Sequence, residues 1–179
     1  HYAEYCERLL DRHKPMVIGC NIFAMDDIKN QPGFRPVGLY QIPELVAATE
    51  HVSVEQRTDL LITGGSTLAI HEKLKNIVCN LAENRPMQYD RVHVDPNLLP
   101  ERLVPWIVPA DFSVKMYCSL KAAICRPGLG VLTDLITVKA QIYPIFERGN
   151  KELEHNAQKI AHLGFGGYLS KNRAVENLS

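Results

Sequence analysis

The chain has 179 residues, 46% hydrophobic and 22% charged, which suits one soluble α/β domain with a sizeable core. Lys plus Arg and Asp plus Glu are 20 each, so the formal charge is zero and no basic excess argues for nucleic acid. Five cysteines, an odd number with no C-x-x-C pair, exclude a disulfide framework or a structural zinc site and fit reduced thiols in a cytoplasmic compartment. No run approaches the roughly 18 apolar residues of a membrane span. The start, His1-Tyr2-Ala3-Glu4, is neither a signal peptide nor an initiator methionine, and reads as the beginning of an excised or processed piece.

In chain order, Tyr2, Tyr5, Cys6, Leu9 and Leu10 have helical spacing, which predicts a helix over 1–14. Met16-Val17-Ile18-Gly19 is a short strand after Pro15. Residues 26–57, with Pro32, Gly33, Pro36, Gly38 and Pro43, read as a linker. The expected division is therefore an interdomain segment with a helix over 1–57 and a main domain over 58–179.

The main domain opens with Leu60-Leu61-Ile62-Thr63, apolar throughout as in a strand buried on both faces. Gly64-Gly65-Ser66-Thr67 ends it, and a helix is expected from there to about Ala82. Tyr89 to Val94 alternates and predicts a strand. Val104 to Val108, broken by Pro105 and bounded by Pro109, predicts an edge strand or loop. A short helix over 113–120 and a buried strand, Ala122-Ala123-Ile124-Cys125, follow. After the turn Arg126-Pro127-Gly128-Leu129-Gly130 come a helix over 131–138, a strand over 141–145 and a helix over 151–163. Leu153, Ala157, Ile160 and Ala161 share a face of that last helix, and Gly164 is a natural stop. The tail after Gly167 is polar. Strands alternating with helices predict a Rossmann-like parallel sheet with helices on both faces.

Such sheets bind ligands beyond the carboxyl ends of their strands. At the first junction, Gly64 and Gly65 permit close backbone approach, a following helix would offer unpaired amides to an anion, and Ser66 and Thr67 add hydroxyls. The loop is not a Walker loop, since no Gly-Lys-Ser/Thr follows, and a glycine pair at a strand end is equally a plain turn. At the second junction, Arg126 to Gly130, Asp134 lies about a helical turn beyond the loop. A carboxylate there can accept hydrogen bonds from vicinal ribose hydroxyls, or it can be an acid favoured near a helix start by the macrodipole. The third cluster, Glu147-Arg148-Gly149-Asn150-Lys151-Glu152 with His155-Asn156, can address sugar hydroxyls, or it can be a helix capped by Asn150 with a solvated face.

The ordered set Thr63-Gly64-Gly65-Ser66-Thr67, Ala110-Asp111-Phe112-Ser113, Ile124 to Gly130, Thr133-Asp134, Glu147 to Asn150, His155-Asn156-Ala157 and Leu163-Gly164-Phe165-Gly166 resembles the C-terminal domain of the MurG-like glycosyltransferases (glycosyltransferase family 28) over residues 58–167. That group adds GlcNAc to a lipid-linked peptidoglycan precursor. The resemblance implies the donor-binding C-terminal half of a GT-B enzyme, taking a UDP-sugar and using no cofactor or bound metal. It implies phosphate contacts at Gly64, Gly65, Ser66, Thr67, Arg126, Gly128, Leu129 and Gly130. Asp134 stands where the family has a ribose-binding Glu. Glu147, Asn150, Glu152 and Asn156 would orient a hexosamine such as GlcNAc, with Glu152 near the family's usual Gln. The acceptor and the catalytic base would come from a missing N-terminal domain or a partner subunit, through which a peripheral association with the cytoplasmic face of a membrane is expected. The alternatives are a UDP-sugar 2-epimerase, whose product forms without an acceptor, and a non-catalytic nucleotide-sugar-binding module.

Overall fold

The computed structural model describes residues 2–65 and 68–167, and the chain divides into two compact units, 1–40 and 41–179. Ser66, Thr67 and the polar tail after Gly167 lie outside the described residues.

In the first unit, α1 (Tyr2–His13) precedes β1 (Val17–Cys20), α2 (Asp26–Lys29) and β2 (Phe34–Val37). The two strands pair in parallel, Val17 opposite Phe34 and Cys20 opposite Val37. The stretch expected to be a linker thus holds regular structure. Pro36 is tolerated because a two-stranded sheet has only edges, where a missing N–H costs no ladder bond.

The second unit begins at Gln41, earlier than the boundary expected at residue 58. The reason lies in its contacts. Leu45, on α3 (Pro43–Thr49), is 1% exposed, and α3 packs against α5 (Val114–Ser119) and α6 (Leu129–Thr137). The Gln41 amide donates to the Thr137 hydroxyl at 2.9 Å. Buried Arg57 donates to the carbonyls of Val52 and Val138. A proline-rich composition signalled a connection, but tertiary burial recruits these residues into the domain.

The unit is built on five parallel strands in the order β5-β4-β3-β6-β7: β3 (Asp59–Thr63), β4 (Val92–Val94), β5 (Ile107–Pro109), β6 (Leu120–Cys125) and β7 (Gln141–Pro144). This is the Rossmann-like α/β sheet that the alternation of strands and helices predicts. Every residue of central β3 is buried, so its apolar run has no polar alternation to show. β4 is shorter than expected because Tyr89 to Arg91 form its approach rather than ladder pairs, and its three residues are all buried. β5 is indeed an edge, where Pro109 is acceptable.

Leu60, Ile62, Val92, Val94, Ala122 and Ile124 point to one face and form a cluster with Ile70, Leu74, Val78 and Leu81, the last three on α4 (His71–Glu83). Leu61, Ala123 and Ile142 point the other way and are fully buried beneath the second helical layer. Each such Leu, Ile or Val side chain contributes about 1.5–3 kcal/mol of transfer free energy.

α7 (Lys151–His162) buries Leu153, Ala157 and Ile160 of the expected face, with Asn156 beside them, while Ala161, expected with them, is exposed at the edge of that face. The chain leaves it through Gly164, whose φ of +76° suits glycine. Gly166 then lies against β7. A Cβ there would stand 1.8 Å from the Ile142 carbonyl oxygen, so the Leu163-Gly164-Phe165-Gly166 motif is explained by close backbone packing.

Candidate functional site

The strand order reverses between β3 and β6. Chain connections run outward from β3 through β4 to β5, then return to place β6 on the other side of β3. Loops leaving neighbouring strands at such a point diverge and leave a crevice at their carboxyl ends. A cavity of about 550 Å³ occurs there, lined by Gly64, Gly65, Asp95, Phe112, Arg126, Gly128, Leu129, Gly130 and Asp134 among others. A larger hollow of about 720 Å³ lies between α4 and residues 98–106, but it borders no strand-to-helix loop of the switch point.

The structure therefore brings the first two predicted junctions together. The Arg126 amide donates to the Thr63 carbonyl at 3.2 Å, which fixes one loop against the other. The loops differ in what they offer. The Gly65 amide is turned back onto the Thr63 hydroxyl at 3.3 Å, and α4 does not start until His71, several residues later than expected. The second loop leads directly into α6. Its N-cap is Gly128, which has no side chain to satisfy the first-turn amides. Leu129 and Gly130 carry those amides at the cavity wall.

Asp134 lies one turn into α6 and faces the same cavity. Burial raises its carboxyl above the ordinary aspartate range, while the nearby Tyr117 hydroxyl pulls the other way. Burial and the neighbouring Asp134 together push the Tyr117 phenol well up.

The third predicted cluster acts mainly by supporting the second. Arg126 donates through Nη2 to Glu147 Oε1 at 2.8 Å and through Nε to Oε2 at 3.4 Å, a two-pronged pair with both side chains less than one-third exposed. The Arg126 hydrogen bonds, with a further one from Asn150, bring the Glu147 carboxyl down to about 2. The Asn150 side chain also accepts from the Leu153 amide at 3.2 Å, capping α7 as one of the two sequence readings had it. Asn156, 1% exposed, donates to the Pro127 carbonyl at 2.9 Å and so pins the loop before α6. Glu152 is exposed in the first turn of α7 and does not line the cavity. Ser66 and Thr67 cannot be placed, since both fall outside the described residues.

Several cavity residues escaped the sequence reading. Asp95 accepts from the Thr63 hydroxyl at 3.1 Å through one oxygen, and through the other from the amide and side chain of Asn97 at 3.2 and 3.3 Å. It follows β4 directly, so the rule that ligands gather at strand carboxyl ends could have found it. Phe112, a non-glycine residue at φ +51° and 43% exposed, belongs to a motif quoted above but had no role assigned. Tyr117 gave no signal, because only the packing of α5 brings it to the cavity that Asp134 also lines.

No protein-family model matches the sequence. No curated protein matches it either. The fold is similar to that of a solved structure, the glycotransferase of kitacinnamycin, with a TM-score of 0.58 and 13% identity. The likeness covers 88% of this chain and 42% of that one, so the chain spans less than half the neighbour's length. At this identity the likeness is one of fold. Among the described residues, no helix is long and apolar enough to cross a membrane.

Proposed function

We propose that this chain is the donor-binding half of a GT-B glycosyltransferase of the MurG-like kind, which transfers a hexosamine such as GlcNAc from a UDP-sugar to an acceptor hydroxyl. A second half, in the same protein or a partner subunit, holds the acceptor and supplies the base. The observation that carries this reading is the cavity at the switch point, where an uncapped helix N-terminus and a half-buried carboxylate face one space. Fold likeness to a glycotransferase supports it.

In this reading the ribose hydroxyls donate to Asp134. Phe112 and Leu129, both exposed apolar side chains of the cavity, flank the base. The diphosphate rests on the first-turn amides of α6 at Leu129 and Gly130, with Gly64 and Gly65 allowing the backbone to come close. As the bond from the anomeric carbon to the diphosphate breaks, negative charge grows on the leaving phosphate. The fixed amides and the helix dipole stabilise that charge without reorganising. Arg126 still has N–H groups free of Glu147 and reaches the same anion. Glu147 holds Arg126 in place, and Asn156 holds the loop that carries the phosphate contacts.

UDP should raise the melting temperature of the chain, because a ligand bound only by the native state stabilises it, by about 2.7 kcal/mol at a hundredfold excess over Kd. Asp134→Ala should lose most of that shift. Equal shifts in wild type and variant would remove Asp134 from the site, and no shift in wild type would remove the nucleotide. Sugar transfer from a UDP-hexosamine is then assayed with the acceptor half added.

A further inference from the structure

Parallel strands are normally buried on both faces, and a sheet of only two strands is marginal in water. β1 and β2 of the first unit form such a sheet. Among the described residues of that unit, only Cys20 and Phe23 are buried apolar side chains. Met16, just before β1, and Ile18, within it, are 64% and 52% exposed. Tyr5, Leu9 and Leu10 of α1 have helical spacing, and all three are exposed as well. So small a core does not hold a unit of this size by itself.

The two edges of the sheet are not equivalent. The Val17 amide donates to the Gly33 carbonyl at 3.3 Å, and the Asn21 amide to the Val37 carbonyl at 2.9 Å. Backbone groups alternate sides along a strand, so the odd-numbered residues of β1 face β2, while Ile18 and Cys20 face away. The Ile18 N–H and C=O have no backbone partner among the described residues. On β2 the outward residues are Phe34 and Pro36. The Phe34 amide is turned back onto the Gln31 carbonyl at 3.1 Å, and Pro36 has no N–H to give. β2 is thus closed as an edge, and β1 is open. We propose that the open edge of β1 receives a β-strand from the acceptor-binding half, carried in the same polypeptide, so that β1 and β2 complete that half's sheet and α1 packs its apolar stripe against it.

The fold likeness to the glycotransferase supports this source. It covers 88% of this chain, a larger share than the second unit alone, so it takes in part of the first unit. More than half of the neighbour lies outside the likeness, in the same chain. The identity of the occupant rests on the two-half reading above, whereas the open edge does not.

Amide exchange read residue by residue compares the 179-residue chain with the full natural reading frame that contains it. In the dilute 179-residue chain the Ile18 amide should exchange freely, while the Gly19 amide, which faces β2, is slowed. In the full protein Ile18 should slow at least about a hundredfold, as an amide does when it is brought inside a sheet. Equal exchange of Ile18 in both proteins would overturn the proposal. Protection that grows with the concentration of the 179-residue chain would also overturn it, by making the occupant a second copy. A reading frame without a further α/β half would do the same. Ile18→Asp keeps every backbone group and places a charge where the enlarged sheet buries its side chain. It should barely change the melting temperature of the 179-residue chain and lower that of the full protein by about 5 °C or more. The same small effect on both would leave Ile18 in solvent and sink the docking. UDP binding reports separately on the nucleotide reading, because the cavity belongs to the second unit. A full protein that protects Ile18 but ignores UDP keeps the docking and loses the nucleotide, and one that binds UDP with Ile18 exchanging freely does the reverse.

Discussion

The helices α6 and α7 both leave the carboxyl end of a strand through a short loop, and in sequence the two junctions look alike. Their N-termini are opposites. α7 is closed by its own Asn150, which accepts from the Leu153 amide. α6 starts at Gly128, with no side chain to accept from its first turn. A helix N-terminus that is satisfied internally has little left to offer an anion, whereas one left open at a cavity wall is a ready anion site. The difference separates a binding junction from a bracing one. Around α7, Glu147 and Asn156 hold Arg126 and Pro127, the residues that lead into α6.

Closing the open end should have the largest effect. Gly128 has φ −77° and ψ 148°, extended values that any residue adopts, and a Cβ there would meet nothing within 4 Å. Gly128→Asp should therefore cap α6 in the way Asn150 caps α7. Replacing glycine by aspartate at an N-cap gains a few tenths of a kcal/mol, and about 0.5 kcal/mol more comes from the helix dipole. The melting temperature should hold or rise slightly. UDP affinity should fall at least about a hundredfold, since the carboxylate occupies the amides and repels the diphosphate. A variant that binds UDP as wild type does would show that the diphosphate does not use α6.

The next effect tests the bracing side. Asn156 is a buried amide, so Asn156→Ala leaves the Pro127 carbonyl unpaired and a small void behind it. Denaturant unfolding should show a loss of about 2–3 kcal/mol, the cost of one unsatisfied buried polar group plus lost packing. An exposed amide whose only task is to contact sugar would show almost no loss on the same measurement. Unchanged stability would thus return Asn156 to a direct binding role.

The sheet was legible in the sequence because its strands are uninterrupted apolar runs and its loops carry glycine. Leu60 to Thr63 and Ala122 to Cys125 announce themselves, and the gap between them, filled by two outer strands, leaves the switch point between β3 and β6. What the residues alone could not separate was contact from support. Asn150 and Asn156 are the same residue type on one helix, yet one caps a terminus and the other is sealed in the core. Asp95 acts through a neighbour that is distant in sequence, Thr63. Residues 26–57 misled for the opposite reason: their prolines suggest a linker, but Leu45 and Arg57 are buried in the domain that follows.

The smallest effect concerns the ion pair that joins the two junctions. Glu147 titrates near 2 in the folded chain, mainly because of its hydrogen bond with Arg126, against an ordinary value of 4.5. A carboxyl depressed on folding adds stability that is fully present above its unfolded value and is lost as pH falls toward its folded one. Glu147 should therefore contribute to acid destabilisation between pH 4.5 and about 2. Glu147→Gln should flatten the fall in melting temperature over that window and lower the plateau slightly above it. The change at neutral pH should stay below about 1 kcal/mol, because the pair is partly solvated. If Glu147→Gln followed the wild-type acid limb throughout, the pair would add nothing to folding stability, and the link between the bracing junction and the binding one would rest on Asn156 alone.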